Sequence, residues 1–182
     1  MARHYNVLFL CTGNSARSIM AEAILNVKGK PNFTAYSAGS HPTGAVRPEA
    51  LRQLELTKIP TQGLRSKSWD EFARPDAPKL DFILTVCDNA AKETCPIWQG
   101  HPTSAHWGVP DPAAVQGSET EVERAFRETL FMLSRRIDLF LSLPLEKLDN
   151  LAIKHELDGI GKTKDASGDG DTVAKSPAPT KG

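Results

Sequence analysis

An eight-residue stretch near the start of the chain reads Cys11-Thr12-Gly13-Asn14-Ser15-Ala16-Arg17-Ser18. An apolar run, Val7-Leu8-Phe9-Leu10, leads into it, and from Ser18 to Val27 apolar residues recur at helical spacing. This order predicts a buried strand, a tight loop of small residues and then a helix. Such a loop directs several backbone N–H groups into one concavity, with the positive end of the helix dipole behind them. The stretch therefore predicts a binding loop for a tetrahedral oxyanion, with Cys11 at its mouth.

The side chains of this loop suit nucleophilic chemistry on a bound oxyanion. The helix N-terminus and Arg17 both favour a thiolate, so we expect the pKa of Cys11 to lie below its free value of about 8.5. The planar guanidinium of Arg17 can bind two oxygens at once. Gly13 lets the backbone approach the ligand, and the Ser18 hydroxyl can donate to the thiolate. Asn14 can brace the loop through bonds to its own backbone.

A simpler interpretation of the same residues stays open. Buried cysteines are common in protein cores, and most of them are chemically inert. On this interpretation Cys11 only ends a strand, and Arg17 only begins a surface helix.

The spacing Cys-x5-Arg-Ser after a first strand resembles that of the low-molecular-weight tyrosine phosphatase superfamily. The longer string VLFLCTGNSARSIMAEAILN is similar to the arsenate reductases built on the same fold, and the resemblance extends from about Asn6 to about Leu143. It implies an α/β fold with three αβα layers around a four-stranded parallel sheet. It also implies that the substrate is bound by Thr12, Gly13, Asn14, Ser15, Ala16, Arg17 and Ser18.

Composition narrows the class of protein. The 182 residues carry no formal net charge, so nothing indicates binding to nucleic acid or to a membrane surface. No stretch resembles a signal peptide or reaches transmembrane length. The three cysteines form an odd count, which favours reactive thiols in a reducing compartment over a disulfide framework. We therefore expect a cytoplasmic monomer without metal or cofactor.

Strand and helix patterns alternate along the chain, which predicts a parallel sheet covered on both faces. The predicted strands are Tyr5–Leu10, Phe33–Ala38, Asp81–Val86 and, more weakly, Ala105–Trp107. The predicted helices are Ala16–Val27, Pro48–Lys58, a short one at Trp69–Ala73, and Glu119–Ser142. Active sites of such sheets lie at the carboxyl ends of the strands. Cys11, Gly39, Cys87 and the loop after Trp107 are all expected at that edge.

The C-terminal region differs in composition from the rest of the chain. From Gly159 onward Gly, Lys, Asp, Ser, Thr and Pro dominate, with almost no large apolar side chain. Such a segment buries too little surface to fold. We expect one domain at residues 1–150, ending between Leu143 and Leu157, and a disordered tail at residues 159–182.

Two further cysteines follow the third predicted strand. Cys87 ends that strand, and Cys95 lies eight positions later. If residues 89–94 are helical, the two Cα atoms are roughly 12 Å apart along the axis, which is too far for a disulfide. The helix would then have to unwind before the thiols could join. Two alternatives remain: both cysteines are core residues, or they bind zinc together with His101 and His106.

A proline-flanked loop, Gly108-Val109-Pro110-Asp111-Pro112-Ala113, holds one carboxylate. Asp111 is either a general acid for the oxygen expelled as Cys11 attacks, or a cap of the following helix. The Asp-Pro pair matches the phosphatase superfamily and favours the acid. Phosphatases of this fold carry an aromatic residue where this chain has Ala113, so a small inorganic oxyanion is favoured over phosphotyrosine.

The resemblance to arsenate reductases implies a disulfide relay and its partners. It implies that arsenate binds in competition with phosphate, that Cys11 attacks arsenic, and that Cys87 and then Cys95 take over the disulfide. The electron donor is then thioredoxin, glutathione with glutaredoxin, or mycothiol. The alternative enzyme is a tyrosine phosphatase that uses Cys11, Arg17 and Asp111. A redox or oxyanion sensor is a third, non-enzymatic alternative.

Overall fold

The computed structural model describes residues 3–163. Four parallel strands form one sheet in the order β2-β1-β3-β4. Their bounds are Tyr5–Cys11 (β1), Phe33–Gly39 (β2), Phe82–Thr85 (β3) and Thr103–His106 (β4). The predicted α/β class and four-stranded parallel sheet are confirmed. The fourth strand begins two residues earlier than predicted, because its pairing with β3 starts at Thr103.

The central position of β1 explains why its sequence is almost continuously apolar. It pairs with β2 on one side and β3 on the other, so both of its faces are covered by protein. In the register of the sheet Cys11 lies opposite Gly39. Cys11, the last residue of β1, therefore lies at the carboxyl edge of the sheet, and the predicted loop begins there.

Five α-helices join or cover the strands within residues 3–163. Their bounds are Arg17–Lys28 (α1), Pro48–Leu56 (α2), Asp88–Lys92 (α3), Glu119–Leu141 (α4) and Asn150–Gly161 (α5). The predicted short helix at Trp69 is a 3-10 helix, Trp69–Phe72. Among these described helices, none combines the length and the apolar character needed to span a membrane.

The two faces of the sheet are covered unequally. On one face alternate residues of β1, including Val7 and Phe9, pack into a large core with the apolar sides of the long helices. On the other face Leu8 and Leu10 pack against a smaller cluster that includes Phe72. This second layer consists of the 3-10 helix and loops. Because Cys11 has the same parity as Val7 and Phe9, its side chain belongs to the larger core.

The folded part of the chain extends further than residue 150, where the predicted domain ends. Helix α5 runs to Gly161, and Ile153, Leu157 and Ile160 form its buried side. The indole N–H of Trp107 donates to the Leu157 carbonyl at 3.0 Å. The glycines at 159 and 161 are typical of a disordered tail, although the apolar residues before them recur at helical spacing. Residues 159–161 of the predicted disordered tail therefore belong to the helix, and residues 164–182 lie outside the described part.

Candidate active site

The buried side chain of Asn14 holds the loop between β1 and α1 in place. This residue is fully buried and has a positive φ of 44°. Its amide nitrogen donates to Ser18 Oγ at 2.8 Å and to Ser37 Oγ at 3.0 Å, and its oxygen accepts the Lys67 N–H at 2.9 Å. The brace predicted at Asn14 is present, but it joins the loop to β2 and to Lys67 instead of to its own backbone.

A buried ion pair lies beneath this brace. Ser37 Oγ donates to Glu22 Oε1 at 3.2 Å, and Lys67 Nζ lies 3.7 Å from the same oxygen. The two charged side chains are only 10% and 8% exposed. Burial raises the pKa of Glu22 and lowers that of Lys67, and the opposite charge of the partner counteracts both shifts. The sequence pattern predicted no role for either residue, although a glutamate within the apolar face of α1 is a signal of such a pair.

Gly39, at the end of β2, lies directly against the loop. A Cβ atom here would collide with the Thr12 carbonyl oxygen, and it would lie 2.9 Å from the Cys11 carbonyl and 3.0 Å from Asn14 Cβ. Two of these three neighbours are backbone atoms of the loop, so they cannot rotate away. The small residue is therefore required by the close approach of β2 to the loop.

We expect Gly39→Ala to displace the loop and weaken phosphate binding by about tenfold or more, because a misplaced loop loses several amide contacts to the anion. Titration calorimetry with inorganic phosphate measures this change. Gly159→Ala is the matched control for a glycine replacement, since nothing lies within 4 Å of a Cβ atom at Gly159 and its φ is not positive. Unchanged phosphate affinity in Gly39→Ala would contradict the assigned packing.

A cavity of about 470 Å³ opens above the loop. It brings together four of the five predicted catalytic residues: Cys11, Arg17, Cys87 and Asp111. Cys95 is not among its lining residues. The carboxyl edge of the sheet therefore gathers the predicted nucleophile, its arginine, one further thiol and one carboxylate in a single pocket.

Arg17 and Asp111 face each other across this pocket. The guanidinium is mostly buried, donates from Nη1 to the Val109 carbonyl at 3.1 Å, and places Nη2 3.8 Å from Asp111 Oδ2. Asp111 is 45% exposed, and its Oδ1 accepts the Ala113 N–H at 3.0 Å. The carboxylate therefore caps the 3-10 helix Pro112–Ala114 and also faces the pocket, so the cap and the acid are compatible roles.

Cys87 and Cys11 lie close together in this pocket. The Thr12 N–H donates to Cys87 Sγ at 3.3 Å. The neighbouring Cys11 thiol, helped by the amides of Ala90 and Thr12, lowers the pKa of Cys87 to about 5 although burial opposes the shift. The neighbouring Cys87 thiol and burial together raise the pKa of Cys11 and outweigh the charge of Arg17.

The two thiols of this pair titrate together. The sequence predicted a lowered pKa for Cys11, whereas the neighbouring Cys87 raises the pKa of Cys11, and Cys11 in turn lowers that of Cys87. The physical reason is that two thiols close together share one charge, and backbone amides stabilise it at Cys87.

Cys95 lies on the surface beyond α3. The helix has only five residues and ends at Lys92, and the backbone at Glu93 is already extended. Cys95 is exposed, and its Sγ lies 3.7 Å from the Glu93 carbonyl oxygen. Partial burial and the charge of Glu93 raise the pKa of this thiol. The helix considered for residues 89–94 is thus shorter, and Cys95 is outside it.

One of the two histidines suggested as zinc ligands, His106, has other partners. His106 lies 2.7 Å from Thr85 Oγ1 and 2.8 Å from Asp88 Oδ1. Within residues 3–163, no group of three or more His, Cys, Asp or Glu side chains is arranged to hold a metal ion. His106 therefore fastens the start of α3 to the end of β4.

Comparison with known proteins defines the family. A family model described as low molecular weight phosphotyrosine protein phosphatase matches residues 6–152, and the chain belongs to this family. An arsenate reductase of Oceanobacillus iheyensis is 34% identical over 134 residues, which cover 74% of this chain and 93% of that protein.

Two solved structures extend the comparison to the fold. A low molecular weight protein tyrosine phosphatase from T. tengcongensis aligns with a TM-score of 0.62 and 26% identity, over 79% of this chain and 99% of that one. A thioredoxin-dependent arsenate reductase of Corynebacterium glutamicum aligns with a TM-score of 0.52 and 21% identity, over 75% of this chain and 63% of that one. The same architecture thus serves a phosphatase and an arsenate reductase.

Proposed function

We propose that the protein is an arsenate reductase that uses a disulfide relay through Cys11, Cys87 and Cys95. The observation that carries this proposal is that Cys11 and Cys87 lie close together in one oxyanion pocket. A phosphatase needs only the first of these thiols, whereas a reductase needs a second thiol within reach of it. The 34% identity to a protein named arsenate reductase supports the same function.

In the first step arsenate binds to the backbone amides of the loop, residues 12–18, and to the guanidinium of Arg17. Cys11 attacks arsenic, and its proton passes to the neighbouring sulfur of Cys87. A sulfur–arsenic bond forms and an arsenic–oxygen bond breaks. Asp111 faces this pocket and, when protonated, donates the proton with which the oxygen leaves as water.

In the second step Cys87 loses its proton again, which the amides of Thr12 and Ala90 favour, and its thiolate attacks Cys11 Sγ. A sulfur–sulfur bond forms, and the electron pair of the sulfur–arsenic bond remains on arsenic. Arsenic is thereby reduced from the +5 to the +3 state and leaves as arsenite, while the two cysteines are oxidised. Cys95 then attacks Cys87, which moves the disulfide to Cys87–Cys95 and restores Cys11.

The relay ends at a surface thiol, so an external dithiol or thiol protein can complete the cycle. We propose thioredoxin as the donor, since the solved relative from Corynebacterium glutamicum is thioredoxin-dependent. Glutathione with glutaredoxin, or mycothiol, is the alternative donor. The reaction requires a reducing compartment, and we propose a cytoplasmic monomer.

Arsenite production measured separately with thioredoxin, with glutathione plus glutaredoxin, and with mycothiol tests the function and its donor. We expect sustained turnover with thioredoxin, and its loss in Cys95→Ser because the disulfide then stays buried between Cys11 and Cys87. Full turnover of Cys95→Ser with thioredoxin alone would exclude the three-cysteine relay. The absence of arsenite with all three donors would exclude the function.

A second activity is supported by the same geometry. Cys11, Arg17 and Asp111 line the pocket as a phosphatase requires, and the loop does not separate phosphate from arsenate by shape. We expect slow hydrolysis of small aryl phosphates through a phosphocysteine at Cys11. The pocket presents Ala113 where an aromatic wall would favour tyrosyl substrates.

A further inference from the structure

The segment between Cys87 and Cys95 carries a carboxylate that the proposed reaction does not use. Thr12 Oγ1 donates to Glu93 Oε1 at 3.0 Å. The same threonine follows the nucleophile in the oxyanion loop, and its N–H donates to Cys87 Sγ at 3.3 Å. Thr12 therefore connects the oxyanion loop to Cys87 and to the residue two positions before Cys95.

Ala90 is buried at one end of this part of the chain and Trp98 packs against Trp69 at the other, but few hydrogen bonds hold the residues between them. Apart from the internal bonds of α3 and its N-terminus, the bond from Thr12 to Glu93 is the one hydrogen bond within residues 3–163 that joins residues 89–98 to their surroundings. Beyond residue 98, the first backbone hydrogen bond to another part of the chain is the one that the Leu80 N–H donates to the Gln99 carbonyl at 3.0 Å. A cavity of about 500 Å³, lined by Ala90 and Cys95 among others, separates the segment from β3 and β4. The segment therefore has space to move once the bond to Glu93 breaks.

The charge of a bound oxyanion acts directly on this bond. Arsenate and phosphate bring negative charge into the loop of which Thr12 is part, next to the carboxylate of Glu93. Like charges that lie close together in a partly buried site repel each other, because little water screens them. An occupied loop therefore weakens the bond between Thr12 and Glu93, whereas the bond is favourable while the loop is empty.

We propose that Glu93 is a positioning residue that keeps Cys95 outside the pocket while the oxyanion loop is empty and releases it when an oxyanion or its Cys11 adduct occupies the loop. This inference rests on the proposed function, since only the relay requires Cys95 to reach Cys87. Under this proposal the steps follow a fixed order, because Cys95 can approach Cys87 only after substrate has bound. The carboxylate also keeps Cys95 in the thiol form, since its charge raises the pKa of Cys95.

The rate at which diamide, which accepts two electrons, joins Cys87 to Cys95 tests this inference, with the disulfide-linked peptides quantified by mass spectrometry. The measurement uses the reduced full-length protein with Cys11→Ser, so that Cys95 is the only partner for Cys87, and compares the rate in the presence and absence of inorganic phosphate at a concentration shown by calorimetry to saturate the loop. With Glu93 intact, phosphate should accelerate disulfide formation by about tenfold, as expected for loss of one charge-assisted hydrogen bond. A purely electrostatic effect of phosphate on the Cys95 thiol would slow the reaction instead.

Two variants separate the effect of the hydrogen bond between Thr12 and Glu93 from the effect of the Glu93 charge. Glu93→Ala should react fast without phosphate, and phosphate should leave its rate unchanged within about twofold. Glu93→Gln keeps an oxygen that can accept from Thr12 but is not repelled, so its phosphate-dependent ratio should also be near one. The ratio cancels the effect that either substitution has on the pKa of Cys95. Glu128→Ala, at an exposed position of α4, is the matched control and should keep the full ratio.

An unchanged rate of disulfide formation with phosphate bound and Glu93 intact would overturn the inference, as would a full ratio in Glu93→Ala. Either result together with intact arsenite production overturns the role of Glu93 alone. A full ratio without arsenite production overturns the proposed function and leaves the link between loop and segment in place. Failure of phosphate to bind the unmodified protein overturns both.

Discussion

Replacement of Cys87 by serine should abolish arsenate reduction, with a loss on the order of 10³-fold or more, while hydrolysis of a small aryl phosphate persists. A hydroxyl at this position cannot form the disulfide with Cys11, so the arsenic adduct has no reductant within reach. The serine also removes the neighbour that raises the pKa of Cys11. Cys11 is then a thiolate in a larger fraction of molecules, and hydrolysis should be retained or increased.

Arsenite release and release of a chromogenic phenol, measured on the same preparation, check this prediction. Cys11→Ser is the matched control, because it removes the nucleophile that both reactions share and should abolish both. If Cys87→Ser reduces arsenate at the rate of the unmodified enzyme, the second thiol is not part of the reaction. If it loses both activities, Cys87 serves the pocket and not the relay.

Arg17→Lys should lower kcat/KM for arsenate and for an aryl phosphate by about 10²–10³-fold, because one donor directed at the developing charge is lost. Lysine keeps the positive charge but cannot bind two oxygens with a planar fork. The side chain of Arg17 also donates to the Val109 carbonyl and lies 3.8 Å from Asp111, so the substitution removes the link between the loop and the acid.

Steady-state kinetics with both substrates measures this loss. Arg65→Lys is the matched control, since Arg65 pairs with both oxygens of Glu71 at 2.9 and 3.0 Å on the surface. The control loses a fork of the same geometry outside the pocket and should keep kcat/KM within about twofold. Equal losses in the two variants would show that Arg17 acts on stability and not on the bound oxyanion.

The parts of the fold that sequence predicted well are those determined by neighbouring residues. The apolar run of β1, the small residues of the loop and the helical spacing of α1 are local patterns, and the parallel sheet follows from their alternation. Helix α5 was missed because a composition rich in glycine and lysine begins within its last turn. Its buried side depends on Trp107, whose contact with Leu157 the local pattern does not contain.

The electrostatics of the site depend on residues far apart in the chain. The pKa values of the two thiols are set by the proximity of Cys11 to Cys87 and by the amides around Cys87. The ion pair of Glu22 and Lys67 forms only when α1 and the loop before Trp69 meet beneath Asn14. No spacing rule relates positions so far apart in the chain, so the sequence predicts which groups react but not which of them carry a charge.

In the proposed relay the disulfide passes from Cys11 to Cys87 and then to Cys95. Peptide mapping after a single turnover with arsenate and no external reductant follows this transfer. We expect a Cys87–Cys95 disulfide with free Cys11 in the unmodified enzyme, and a Cys11–Cys87 disulfide in Cys95→Ser. Stoichiometric arsenite release with all three thiols still reduced would rule out the relay.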